Sequence, residues 1–304
     1  MKVNRISAEV LLDSKSPNGA RITSVIATIP RFILAELNTH RSFSRNSASS
    51  RAVPFEMMIQ KCENERFIPI AWMKEHKGMQ GSEYFNEKKS LQLDAQWNKM
   101  ADAAIKGAIK LHNRFEDQVT KQMCNRALES YMYHKVLITS TEWENFFAQR
   151  ADSAAEIHFK DFAEKLLVAL NESTPTQLEY GEWHLPYADY KSLPKLETCF
   201  FGNEDVLYGL ESLSNDFDKE TLIRLKLSTA RCARTSFDNF NGDTNYIDDV
   251  NLFKKLIDPG HMSPTEHQAF CTGYATFEGN FKGFAQFRKM IIGENKLDSR
   301  LIKK

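Results

Sequence analysis

The chain has 304 residues with 40 basic and 40 acidic side chains, so its formal charge is zero when the histidines are neutral. This balance argues against a generic polyanion-binding protein, which would carry a basic excess. No stretch approaches the roughly 20 apolar residues of a membrane span, and no secretory signal is visible. The five scattered cysteines contain no C-x-x-C pair. We therefore expect a soluble, cytoplasmic protein with neither a disulfide framework nor a cysteine-type metal site.

The first half of the chain is predicted to form a hairpin followed mainly by helices. Residues 2–13 and 20–29 are predicted strands, because the Asn-Gly turn between them supplies the positive φ angles of a tight hairpin. A short helix begins at Pro30. Further helices are predicted over 85–118, 117–131 and 154–171, with a strand over 133–138 and a helix that Thr141 caps.

The second half is predicted to begin with an irregular stretch. Residues 173–205 contain several prolines, glycines and tyrosines and read as a connection or covering segment. A helix with an apolar face is predicted to start near Asp218. Others are predicted over 247–257 and 281–292, and a strand over 268–277. Long helices with few strands predict a helix-rich α+β domain around a small, mostly antiparallel sheet.

The strongest chemical signal is the segment from Thr39 to Arg51, which holds three arginines, one histidine, five serines and no acid. Serine hydroxyls and backbone N–H groups can wrap phosphate oxygens, and arginines add charge-assisted contacts. The segment therefore fits a phosphorylated small molecule. A solvated basic loop or an RNA-contacting arm is an equally good interpretation of its composition.

Two further segments are weaker signals. Gly260 to His267 contains two histidines, a serine and a carboxylate, but not the H-E-x-x-H spacing of a zinc site. Ser263 and Glu266 are also spaced as a helix capping box, and that structural interpretation is favoured. Arg150 and Asp152 fit a surface ion pair.

Taken together, these segments resemble the flavin-dependent thymidylate synthases. That family carries an R-H-R-x-x-S-x-x-x-x-S-x-R motif, onto which His40, Arg41, Ser44, Ser49 and Arg51 fall without a gap. Its A-R-x-S-[FY] helix, G-H-x-[ST]-P-x-E-H turn and R-A-D…E-I helix are similar to the segments that begin at Ala233, Gly260 and Arg150. Four dispersed matches are far more specific than any single one.

The order of the segments differs from that of the usual family member, in which the A-R-x-S helix and the G-H turn come first. The chain resembles a circularly permuted, phage-like arrangement of the family. It is then expected to be one domain over 1–304, with a nucleotide-binding loop and helical part at 1–172, a connection at 173–205 and an FAD-contacting part at 206–304. We expect strands 20–29 and 268–277 to lie in one sheet, and Arg51 and Glu266 to reach one cavity.

Two positions of the first motif depart from the family pattern. Thr39 replaces its first arginine, and Glu36 stands where a glutamine is usual. Gln286 and Arg288 offer both missing side-chain types, so we expect them to supply the lost nucleotide contact.

The resemblance implies a role for each matching residue. Arg150 would be the catalytic arginine that polarises the uracil ring. The residues implied to hold dUMP are Ser47, Ala48, Ser49, Ser50 and Arg51, assisted by Arg126. The residues implied to contact FAD are His40, Arg41, Asn46, Asn145, His261, Ser263 and Glu266.

The implied reaction moves a methylene group from methylenetetrahydrofolate to C5 of dUMP, with hydride from the reduced flavin and NADPH as the reductant. The family also implies a homotetramer, and neither a nucleic acid nor a membrane partner is expected. One alternative is a flavin-dependent deoxyuridylate hydroxymethylase, which would make 5-hydroxymethyl-dUMP. Another is a non-catalytic nucleic-acid-binding protein that uses the basic segment. The cysteine nucleophile of classical thymidylate synthesis has one candidate, Cys232, whose place on a helical apolar stripe argues for the core.

Overall fold

The computed structural model describes residues 3–78, 81–193, 196, 201–237 and 245–294. Cys199 lies outside the described residues. The fold is of the α+β class, as predicted. Two five-stranded sheets are present in the described part of the chain, and most strand pairs in both are antiparallel.

The first sheet has the strand order β3-β4-β2-β1-β5 and the second has the order β6-β7-β10-β8-β9. The strands of the first sheet are β1 (Ser7–Lys15), β2 (Arg21–Pro30), β3 (Ser44–Ser47), β4 (Tyr133–Ser140) and β5 (Thr176–Gln177). Those of the second are β6 (Trp183–His184), β7 (Ala269–Cys271), β8 (Phe277–Glu278), β9 (Phe281–Lys282) and β10 (Phe284–Gln286).

The helices surround these sheets. They are α1 (Leu34–Leu37), α2 (Phe55–Asn64), α3 (Glu87–His112), α4 (Lys121–Cys124), α5 (Glu144–Arg150), α6 (Ile157–Glu172), α7 (Asn203–Leu207), α8 (Lys219–Arg234) and α9 (Tyr246–Ile257). None of these described helices combines the length and apolarity needed to cross a bilayer.

The first sheet is built on the predicted hairpin. Gly19 adopts a φ of +90°, and its N–H donates to the carbonyl of Ser16 at 3.0 Å, which closes the turn. One side of α6 carries Phe159, Phe162 and Leu166, all fully buried in the same apolar cluster as the β2 and β4 side chains. Burial of this face is the main favourable term that holds α6 to the sheet.

Several predicted elements are corrected by the structure. The helix expected over 281–292 is absent; β9, β10 and a 3-10 turn over Phe287–Met290 stand there, because Gly283 takes a φ of +78° that a right-handed helix does not allow. The strand expected over 268–277 ends at Cys271, just before Gly273 with a φ of +73°. Strands 20–29 and 268–277 lie in different sheets, so that expectation was wrong.

The helical predictions were wrong at several boundaries. Instead of one helix over 117–131, Thr120 caps the short α4, and a 3-10 segment, Asn125–Tyr131, follows it. The helix predicted to reach residue 118 ends at His112, so Phe115 lies outside it and is exposed. Thr141 does not cap α5; its hydroxyl accepts from the N–H of Lys282 at 3.0 Å.

A buried ion cluster joins α8 to α9. The Asp249 carboxylate is fully buried and accepts from the Arg231 guanidinium at 3.0 Å and from the Arg234 guanidinium at 2.8 Å. Arg234 belongs to the A-R-T-S-F segment of the sequence. Buried charges must be paired to be tolerated, so this carboxylate compensates two arginines at once.

Replacing Asp249 with Asn is expected to destabilise the protein strongly, because both arginines keep their charge while the compensating charge is lost. Breaking a buried pair costs about 3–5 kcal/mol. The measurement is the free energy of unfolding in urea. Asp248→Asn, at the exposed neighbouring position, is the matched control. Equal stability of the two variants would contradict the assignment.

Candidate functional site

Strand β3 is the centre of the candidate site. It is an edge strand paired with β4 on one side only, in the register Ser44 to Thr139 through Ser47 to Val136. Segments from the far end of the chain contact it through side chains, since the Asn46 amide donates to the carbonyl of Cys232 at 3.3 Å. The arginine and serine motif is thereby joined to Cys232, the residue directly before the A-R-T-S-F segment.

The loop that follows β3 is held by backbone and side-chain contacts. Arg31 donates to the carbonyl of Ala48 at 2.9 Å, and the buried Asn125 amide donates to the carbonyl of Ser50 at 2.7 Å. The Ser50 hydroxyl donates to the Glu129 carboxylate. These contacts shape a small pocket, here called the serine pocket. It is lined by Ala48, Ser49, Ser50, Arg31, Val53, Met58, Lys61, Glu129, Met132, Tyr133 and His134.

The remaining predicted dUMP residues lie around this loop. Ser47 ends β3 and is half-buried. Arg51 is exposed, and its Nε donates to the Gln122 side chain at 3.2 Å. Arg126 is also exposed. The structure thus brings Ala48, Ser49 and Ser50 to one pocket and leaves the two arginines on the surface.

A direct backbone bond links the first motif to the A-R-T-S-F segment. The N–H of Ser49 donates to the carbonyl of Ser236 at 2.9 Å, although 187 positions separate them in sequence (236 − 49). The contact places the second segment beside the serine pocket.

Gln286 joins the first motif to the G-H turn. Its buried side-chain amide donates to the Ser44 hydroxyl at 2.8 Å and to the carbonyl of Glu266 at 3.0 Å. Asn280 donates to the same hydroxyl at 3.1 Å. A Cβ at Gly279 would lie 2.3 Å from the Gln286 amide oxygen, so only glycine leaves room for this arrangement.

The G-H turn presents one paired and two exposed polar side chains. The Arg288 guanidinium donates to the Glu266 carboxylate, which is therefore already paired, and the same guanidinium contacts Glu294 at 2.6 Å. His261 and Ser263 are exposed. The capping-box interpretation of Ser263 was wrong: Met262 precedes the 3-10 turn, and no side chain caps it.

Arg45 connects this turn electrostatically with the start of the first motif. Burial lowers the pKa of its guanidinium; the Glu266 carboxylate acts in the opposite direction, and the Arg41 charge lowers the pKa further. Arg45 also donates to the carbonyls of Leu37 and His40, at 2.8 and 3.1 Å. Arg41 itself is exposed. Arg41, Arg45 and Glu266 therefore share one electrostatic environment.

The predicted catalytic arginine contacts a predicted FAD residue. Arg150 Nε donates to His40 Nε2 at 3.1 Å, its Nη1 lies 3.4 Å from the Glu36 carboxylate, and its guanidinium lies 4.6 Å from the centre of the Phe159 ring. Burial and the nearby charges of Arg150 and Arg45 lower the pKa of His40 to about 4. The neutral imidazole therefore accepts from Arg150 at physiological pH. Asn145, in the same helix as Arg150, is exposed.

A chain of buried polar side chains holds the G-H turn against the first sheet. Ser14 Oγ lies 2.9 Å from His184 Nδ1, and His184 Nε2 lies 2.9 Å from Ser24 Oγ. Ser24 and Thr139 hydroxyls are 2.6 Å apart, and Thr139 Oγ1 lies 2.9 Å from His267 Nδ1. All five side chains are buried. His184 lies in the irregular connection, where sequence reasoning assigned it no partner.

Sequence reasoning missed most of the residues that support the site. Arg31, Asn125 and Glu129 hold the loop, yet each stands alone in the sequence without a motif around it. Glu36 was noted only as a departure, although its carboxylate faces Arg150. Among the described residues, no group of three His, Cys, Asp or Glu side chains is arranged to hold a metal ion.

The chain matches the family model described as thymidylate synthase complementing protein, Thy1, over residues 18–176. No curated protein sequence matches it at a significant level. The similar solved structures include the UMP/dUMP methylase PolB from Streptomyces cacaoi bound with 5-Br UMP, which is 14% identical with a TM-score of 0.43 over 56% of this chain and 90% of that one. The same protein bound with 5-Br dUMP is 15% identical, with a TM-score of 0.44 over 57% and 93% of the two chains.

Acid is expected to lower the free energy of unfolding through His184 and His267, the two histidines of the buried polar chain. Burial lowers the pKa of His184 and of His267 to about 3 each, so both must stay neutral in the folded state. The contribution of the two neutral histidines to stability is complete above about pH 6.5, the pKa of histidine in the unfolded chain. It is lost as the pH falls from there towards 3. At pH 5 the loss is about 2 kcal/mol for each histidine.

The measurement is the free energy of unfolding in urea at pH 7 and at pH 5. His184→Gln should reduce the difference between the two values, while His261→Gln, at an exposed position, should leave it unchanged. Equal stability of the unaltered protein at both pH values would contradict the neutral state of the buried chain.

Proposed function

The chain belongs to the family of thymidylate synthase complementing proteins, and from this membership we propose that it is a flavin-dependent thymidylate synthase that converts dUMP to dTMP. One observation carries the proposal. Segments far apart in sequence meet around β3, where Ser49 bonds to Ser236 and Gln286 joins Ser44 to Glu266. A pyrimidine and a cofactor that react together must be contacted at one place.

The loop around the serine pocket is proposed to hold the phosphate and sugar of dUMP. Ala48, Ser49 and Ser50 line the pocket, Ser47 comes directly before them at the end of β3, and Arg51 stands at the end of the same loop. An exposed guanidinium next to a serine-rich turn suits a phosphate monoester. Arg126 is proposed to assist from the surface. The side-chain amide of Gln286 already donates hydrogen bonds to Ser44 and to the carbonyl of Glu266. Its role in nucleotide binding would therefore be to hold the loop in place.

The residues of the proposed FAD site fit a flavin nucleotide in their chemistry. Arg41, His261 and Ser263 are exposed hydrogen-bonding groups, and Arg41 is a cation suited to the diphosphate. The charges of Arg41 and of the Glu266 carboxylate both shift the pKa of Arg45, which supports the proposal that Arg41 and Glu266 are neighbours. When bound, reduced flavin supplies the hydride that turns the transferred one-carbon unit into a methyl group. His40, Asn46, Asn145 and Glu266 complete the proposed set, and each of these four also holds a partner within the chain.

Arg150 is proposed to polarise the pyrimidine. C5 of uracil is a weak nucleophile, and a cation beside N3 and the carbonyl oxygens stabilises the negative charge that develops on the ring. The contacts of Arg150 with His40, Glu36 and Phe159 fix its guanidinium before substrate arrives. A preformed charge of this kind lowers the barrier because it needs little reorganisation.

The co-substrates and the assembly follow the family resemblance. Methylenetetrahydrofolate is proposed as the one-carbon donor, NADPH as the reductant and a homotetramer as the working form. Exposed FAD residues such as His261 and Ser263 are compatible with a site that a neighbouring subunit completes.

The direct test is to purify the protein, record its absorbance and identify its product. We expect a yellow protein that converts dUMP to dTMP in the presence of methylenetetrahydrofolate and NADPH. Mass analysis separates dTMP from 5-hydroxymethyl-dUMP, so the second product would favour the hydroxymethylase alternative. A colourless protein without nucleotide turnover would contradict the proposal.

Arg51→Ala should weaken dUMP binding by roughly 10- to 100-fold, because one charge-assisted contact to the phosphate is lost. Bound FAD should remain near its normal amount, since Arg51 is assigned to the nucleotide alone. Titration with dUMP and the flavin absorbance measure the two effects. Arg114→Ala, at another exposed position, is the matched control. An equal loss of both ligands would refute the assignment of Arg51.

Cys232 should not be required for turnover. Burial raises the pKa of its thiol, and Gln268 Nε2 lies 3.5 Å from its sulfur in the core beside α8. A thiol in that state is a poor nucleophile. Cys232→Ala is expected to retain turnover if the variant is folded, as checked by circular dichroism. Complete loss of turnover in a folded variant would favour a cysteine mechanism.

A further inference from the structure

The serine pocket is small and has a carboxylate in its lining. It encloses about 30 Å³, roughly the volume that one water molecule takes up in the liquid. Val53, Met58 and Met132 are buried and form an apolar part of the lining. Among the described residues, Glu129 is the one acidic side chain that lines it. A hydroxyl group suits this space, whereas a phosphate group is larger.

Glu129 is accessible and can accept a further hydrogen bond. Its side chain is 29% exposed. The Ser50 hydroxyl donates to Oε1, and the same oxygen lies 3.7 Å from Arg31 Nη2. No described residue donates a hydrogen bond to Oε2. Each oxygen of a carboxylate accepts hydrogen bonds and donates none, so Oε2 is available to a donor on a ligand.

The charges around the pocket determine which end of a nucleotide enters it. Arg31 and Lys61 also belong to the lining, but in so small a space a phosphate that reached them would lie against the Glu129 carboxylate, which repels it. Arg51 follows Ser50 directly, is exposed and bonds to the neutral side chain of Gln122. A phosphate is therefore favoured outside the pocket, and a neutral donor is favoured inside it.

A sugar hydroxyl meets both requirements, because it is small and it donates. We propose that Glu129 is a specificity-determining residue that accepts a hydrogen bond from a sugar hydroxyl of the nucleotide, while the phosphate lies outside the pocket at Arg51. In dUMP the only free sugar hydroxyl is the 3′-hydroxyl. The inference rests on the proposed function and adds to it the orientation of the nucleotide and a requirement for the 3′-hydroxyl.

The experiment measures by calorimetry how the purified protein binds dUMP and 2′,3′-dideoxyuridine 5′-monophosphate, which lacks the 3′-hydroxyl. The unaltered protein should bind dUMP about 10- to 100-fold more tightly, because the analogue cannot form the hydrogen bond to a charged group. Glu129→Ala should remove this preference. Glu129→Gln keeps the shape of the side chain and one acceptor oxygen, so it should retain part of the preference. Glu116→Ala, at an exposed position, is the matched control.

Two further variants separate contact with the sugar from other roles. Arg51→Ala should weaken both ligands by the same factor, because both carry the phosphate. Ser50→Ala removes the hydrogen bond between the loop and Glu129 but leaves the carboxylate in place. The preference for dUMP should therefore persist in Ser50→Ala. If Ser50→Ala abolishes the preference as Glu129→Ala does, Glu129 only holds the loop and the inference fails.

Two other results would also overturn the role of Glu129. One is equal binding of both ligands by the unaltered protein, and the other is an undiminished preference for dUMP in both Glu129 variants. Neither result concerns dTMP formation, so the proposed function would stand. Failure of dUMP to bind at all would overturn the proposed function together with this inference.

Discussion

The candidate site depends on the unpaired edge of β3. Only one side of this strand bonds to another strand, so its other edge is open to the rest of the chain. Two of its side chains bond to residues 186 or more positions away: Gln286 and Asn280 donate to the Ser44 hydroxyl, and the Asn46 amide donates to the Cys232 carbonyl. The loop after β3 therefore takes its shape only when the C-terminal part of the chain is docked.

The polar character of this contact fixes its register. An apolar surface can slide at little cost, but a buried hydrogen bond that loses its partner costs about 1–3 kcal/mol. Gln286 makes two such bonds at once, and Gly279 packs against it so closely that a side chain there would displace it. The chain of hydroxyls and imidazoles from Ser14 to His267 acts in the same way between the two sheets.

Local signals predicted the elements that local chemistry controls. The predictions of the Asn-Gly hairpin, of a helix over 154–171 and of a helix start near Asp218 were correct, because turn geometry, periodicity and a capping carboxylate act within a few residues. The region from 268 to 292 was wrong, since its glycines take positive φ angles that no periodicity reveals. The motif residues were identifiable, but their supports were not. Asn125 and Glu129 matter only through contacts made across the fold.

The meeting of the motifs does not require a shared sheet. A rotated chain order was expected to place strands 20–29 and 268–277 side by side, yet they belong to different sheets. The segments are instead brought together by side-chain hydrogen bonds to β3 and by one backbone hydrogen bond in the loop after it. A site assembled in this way depends on the positions of a few polar groups and not on the continuity of a sheet. The order of the segments along the chain can therefore differ from the family pattern, provided that Ser44 and Asn46 of β3 still form their hydrogen bonds to the C-terminal part of the chain.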